Sequence, residues 1–125
     1  MTKAGAMDVD QFNAHCAALG PTTHVVQWGG AHVWKIGGKV FAIGGWSGGP
    51  GLAITFKCSP MSFELLKGQP GLRPAPYLAS RGMSWIQRTS AESLDDDGLR
   101  TYLAESFRLA GLGLTRKARA ELGLS

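Results

Sequence analysis

Two adjacent glycines in the run Val33-Trp34-Lys35-Ile36-Gly37-Gly38-Lys39-Val40-Phe41-Ala42-Ile43 constrain this chain more than any other feature. β-favouring residues on both sides of Gly-Gly read as two strands joined by a two-residue turn. Such turns need positive φ at the central positions, which glycine adopts without steric cost. A turn of fixed length also sets register. Pairing outward from it places Ile36 opposite Lys39, Lys35 opposite Val40, Trp34 opposite Phe41 and Val33 opposite Ala42, and directly opposed residues share a face. One face should gather Trp34, Ile36, Phe41 and Ile43 beneath helices. The other should present Val33, Lys35, Val40 and Ala42 to water or a partner. The run at 52–57 divides likewise, with Leu52, Ile54 and Phe56 heavy and Ala53, Thr55 and Lys57 light. Antiparallel sheets commonly leave one face solvated, so the light face reads equally as plain surface or as a docking surface.

Local signals place the other elements. Asp8, with Gln11 three residues on, is a capping box, and Val9, Phe12, Cys16 and Leu19 follow on one helical face until Gly20-Pro21. Residues 24–28 read as a short strand. Ser59-Pro60 starts a second, short helix carrying Phe63, Leu65 and Leu66. Residues 72–82 read as a structured loop and 83–89 as a strand. Asp95 or a neighbour caps a longer helix with Leu99, Tyr102, Leu103, Phe107 and Ala110 on its buried stripe, ended by Gly111 and Gly113. The basic tail from Arg116 reads as helical. Hairpin-connected strands bracketed by helices predict an α+β fold, an antiparallel sheet with N- and C-terminal helices packed on one face. The 125 residues fit a single domain over 7–125 behind a flexible leader at 1–6.

No apolar run approaches the roughly 20 residues that span a bilayer, and no signal-peptide core follows the N-terminus, so a cytoplasmic protein without membrane contact is expected. Cys16 and Cys58 lie outside any metal or redox spacing and read as packing thiols. His15, His24 and His32 are scattered, and the glycine-rich loop at 44–51 leads into a strand rather than a phosphate-cradling helix. No catalytic constellation, metal site or cofactor is expected. Charge is the informative quantity. The net charge is +4, but between residues 35 and 88 seven cations (Lys35, Lys39, Lys57, Lys67, Arg73, Arg81, Arg88) face one acid, Glu64. A basic middle suits an anionic partner or a solvated surface.

The hairpin run resembles that of the MmcQ/YjbR family. Lys57-Cys58-Ser59-Pro60 resembles that family's strand-to-helix junction, and Pro74-Ala75-Pro76-Tyr77-Leu78, followed by Trp85 in a strand, resembles its next block. Glu105-Ser106-Phe107-Arg108-Leu109 and Leu114-Thr115-Arg116-Lys117 resemble its closing helix and basic end. The resemblance implies a CyaY-like two-layer α/β fold and a "double wing" arrangement proposed to bind DNA. Frataxin-type iron proteins share that fold, but their dense acidic first helix is missing, so iron handling is not carried over.

Two functional expectations follow. The first is DNA binding of low sequence specificity through Lys35, Lys39, Lys57, Arg81 and Arg88, with Arg116 and Lys117 and also Arg119 as outlying contacts. The second is a protein-interaction module docking through the light sheet face, Trp46 and Trp85. A monomer is favoured in either case.

Overall fold

Asp8 caps the first helix, α1 (Val9–Ala17), as its spacing predicts: its carboxylate accepts from Gln11 N–H at 2.8 Å, and Gln11 Oε1 accepts from Asp8 N–H at 3.0 Å. A computed structural model describes residues 7–27, 29–45, 52–76 and 84–124. The leader at 1–6, Trp46 and Arg81 lie outside the described residues. After α1 come β1 (Thr22–Gln27), β2 (Ala31–Ile36), β3 (Lys39–Gly44), β4 (Ile54–Lys57), α2 (Pro60–Leu66), β5 (Leu72–Pro74), β6 (Trp85–Arg88), α3 (Asp96–Leu112) and α4 (Arg116–Glu121). Ser59 and Asp95 cap α2 and α3 as expected, and Thr115 caps α4. Gly37 and Gly38 both take positive φ, 56° and 84°, so the turn is the one the sequence demands.

The sheet is antiparallel throughout, in the order β1-β2-β3-β4-β6-β5. Helices cover one face. Phe12 and Cys16 of α1 and Leu99, Leu103 and Ala110 of α3 meet Trp34, Ile36, Phe41, Ile54, Phe56 and Ile86 of the sheet in one core. Gly44 permits the close approach of α1, because a Cβ there would sit 2.7 Å from the Phe12 ring. This is the α+β architecture that the hairpin and the bracketing helices predict. β5 was not foreseen: three residues ending in proline give no periodicity, yet they pair with β6 as an edge strand.

Register departs from expectation inside the hairpin. Ile36 opposes Lys39 and Lys35 opposes Val40, but the ladder then slips, so that Trp34 opposes Ala42 and Val33 opposes Ile43. Phe41 is the additional residue of a β-bulge. Phe41 and Ala42 both join the helix-side core, and Ile43 turns to the other face beside Val33. A turn's length fixes register only while the ladder is regular, and nothing local announces the bulge.

The second face is also not open to water along its middle. Val33, Ile43, Thr55 and Gln87 run across β2, β3, β4 and β6 with exposures of only 0–1 %. The light face is expected to meet water or a partner, and the burial of this row corrects that expectation along its middle. The row includes a buried hydroxyl, Thr55 Oγ1, without a hydrogen-bond partner. A buried, unpaired polar atom costs about 1–3 kcal/mol, and an apolar isostere removes that cost. Thr55→Val is therefore expected to raise the unfolding free energy by about 1 kcal/mol, read as a higher urea midpoint with unchanged slope. A lower midpoint would mean that the hydroxyl has a partner in solution.

Candidate nucleic-acid interface

The cations named from sequence separate into three environments. Arg88 is 3 % exposed and lies on the helix side of the sheet. Its Nη1 donates to the Leu94 carbonyl at 2.9 Å, and its Nη2 pairs with Asp96 Oδ1 at 3.0 Å. It cannot also reach a phosphate, so Arg88 is removed from the interface. Lys35 and Lys57 are half-buried on the second face, on either side of β3. Lys57 stands opposite Trp85, which is 4 % exposed with an unpartnered indole N–H. Burial of this ring corrects its assignment as a docking aromatic.

The third environment is a cationic end that sequence reasoning did not assemble. Gly37, at the hairpin turn, lies where a Cβ would meet Leu114 at 2.8 Å and Leu122 at 3.2 Å, so the turn is seated against the two ends of α4. Lys39 then falls beside Gly113, its Cε 3.8 Å from where a Cβ on that glycine would lie. Lys39, Arg116 and Lys117 are all exposed. Glu64, Asp96, Asp97 and Glu105 are paired with Lys67, Arg88, Arg100 and Arg108, whereas among the described residues these three cations have no carboxylate within bridging distance. Arg119 reinforces the joint by donating from Nη1 to the Gly111 carbonyl at 2.8 Å. The first turn of α4 carries Arg116 and Lys117 and no acid. This charge sign opposes the helix dipole, at a cost of about 0.3–1 kcal/mol per charge at low salt. An anion at this end would offset that cost.

Burial pushes Cys16 up to about 12 and Cys58 up to about 11, so both thiols stay protonated as packing groups. His24 stacks on Trp34 with centroids 4.6 Å apart and places Nε2 3.0 Å from His32 Nδ1. Partial burial first, then the neighbouring His32, lowers the His24 pKa. Asn13 closes this cluster, accepting from Trp34 Nε1–H at 2.9 Å and lying 3.3 Å from His32 Nδ1. Among the described residues no group of three or more metal-ligating side chains converges, and no helix is long and apolar enough to cross a membrane.

A six-stranded antiparallel sheet, helices on one face and a hairpin turn braced by a C-terminal helix define the class as a two-layer α+β protein. The YjbR family model matches residues 17–109, and the chain belongs to that family. Among solved structures it is similar to a Deinococcus radiodurans protein with the family-model domain DUF419. The identity is 22 %, the match covers 99 % of this chain and 94 % of that one, and the TM-score is 0.81. It is also similar to a Pseudomonas syringae protein solved as a structural genomics target, at 20 % identity over 83 % of this chain and 99 % of that one, with a TM-score of 0.67. No curated protein matches the chain. At these identities the likeness carries the fold.

Proposed function

We propose that this YjbR-family protein is a non-enzymatic DNA-binding protein that grips the duplex backbone with its hairpin–α4 end and has little sequence preference. The observation supporting this is the seating of Gly37 on Leu114 and Leu122, which brings Lys39 beside the basic start of α4. The β2–β3 hairpin then acts as a wing whose tip is already braced, so a phosphate meets cations with little ordering left to do. Backbone contacts position a protein without reading bases, which is the basis for the low sequence preference. The protein-interaction reading is weaker, because Trp85 and the middle of the second face are buried.

Fluorescence titration of a short duplex at two salt concentrations tests the proposal. Contacts from Lys39, Arg116 and Lys117 predict a slope of about −2.7 log units of affinity per log unit of salt, or about 40-fold between about 50 and 200 mM. The triple variant Lys39→Gln, Arg116→Gln, Lys117→Gln should lose that dependence, while Lys35→Gln with Lys57→Gln should largely keep it. Absence of binding at the lower salt, or an unchanged slope in the triple variant, would overturn the assignment.

A further inference from the structure

We propose that this protein forms a homodimer through its β1 edge, joining two six-stranded sheets into one continuous antiparallel sheet. The inference is independent of DNA binding and rests on the contrast between the sheet's two edges. β5 is protected in the usual ways, with three residues that include Arg73 and Pro74. β1 has none of these protections. Its six residues, Thr22-Thr23-His24-Val25-Val26-Gln27, carry no Lys, Arg, Asp, Glu or Pro, and they pair with β2 without a bulge. The four central residues are exposed, with Val25 at 39 % and Val26 at 54 %. A strand of this length, rich in β-branched side chains, presents an unpaired row of backbone donors and acceptors beyond the sheet.

A second copy fits this edge because the strand complements itself. A two-fold axis perpendicular to the sheet requires opposed residues to share a face, so one residue must stand opposite its own counterpart. Centring the axis on Val25 pairs Val25 with Val25, His24 with Val26 and Thr23 with Gln27. Val25 then covers its own counterpart, Val26 lies against the imidazole ring opposite it, and the polar Thr23 and Gln27 meet across the strands. No charge faces a like charge, which is what defeats self-pairing at a charged edge. Both helical layers stay on the same side of the joined sheet. A single strand pair buries less than a standard interface of about 1,200–2,000 Å², so the dimer is a micromolar one.

Sedimentation equilibrium of the whole chain, from about 5 to 500 µM, should show a monomer–dimer equilibrium. Val25→Lys would oppose two lysines across the axis and should raise the dissociation constant at least about tenfold. A second variant tests the register while leaving the strand apolar. Val25→Cys should give a disulfide-linked dimer on mild oxidation, whereas Leu65→Cys, on exposed α2, should not; Cys16 and Cys58 are buried. A protein that stays monomeric across the range overturns the proposal. So does dimerisation unaffected by Val25→Lys, or failure of Val25→Cys to cross-link in a population that sediments as dimer.

Discussion

Arg88→Ala is expected to lower the unfolding free energy by about 3–5 kcal/mol, the usual cost of removing one partner of a buried ion pair. The value is large because Asp96 Oδ1 is a junction. It pairs with Arg88 and also accepts from Met7 N–H at 3.1 Å, so β6, the start of α3 and the approach to α1 meet at one oxygen. Removing the guanidinium leaves that carboxylate without its cation and the Leu94 carbonyl without its donor. Urea denaturation measures the loss directly. Combining Arg88→Met with Asp96→Leu should recover part of it, because the double variant leaves neither charge without its partner, although Met7 N–H still loses its acceptor. A loss below about 1 kcal/mol in Arg88→Ala would return Arg88 to the surface.

Ser106→Ala should cost about 2–4 kcal/mol, more than the loss of one ordinary hydrogen bond. Its hydroxyl, fully buried on α3, donates to the Phe41 carbonyl at 2.6 Å and accepts from Lys57 N–H at 2.8 Å. Those backbone groups belong to β3 and β4 just where their ladder stops, since the last pair before them is Ala42 with Phe56. The bulge leaves this donor and acceptor without each other, and the serine side chain bridges them. Alanine would leave both groups without that partner at once, each at about 1–3 kcal/mol. Thermal melting and amide exchange at Lys57 report it. Protection at Lys57 unchanged in the variant would show that another group satisfies the strand end.

Legibility in the sequence followed the range of the interaction. Asp8 with Gln11, Ser59 with Pro60 and Gly37 with Gly38 act over at most three residues, and each caps or turns as expected. The stripe on α3 was legible for the same reason, apart from Ser106, whose polar side chain hid its burial. Arg88 was misread as a surface cation because Asp96, its partner, already had a sufficient role at the start of a helix. The bulge at Phe41, the pairing of β5 and the burial of Thr55 depend on strands distant in the chain. The cationic end was split in sequence between Lys39 and Arg116. Only the contact of Gly37 with Leu114 and Leu122 unites them.

The additional residue in β3 makes this hairpin's tolerance of a one-residue deletion depend on where the deletion falls. Without Phe41, Trp34 would still oppose Ala42 and Val33 would still oppose Ile43, because the bulge alone would close. Such a variant would lose one ring from the core and keep every other side chain on its present face. Without Ile43 the outcome differs: Gly44, the last residue of β3, would change sides and leave the place where it admits Phe12. A gap of a single residue is therefore compatible with this hairpin at one position and ruinous two positions later.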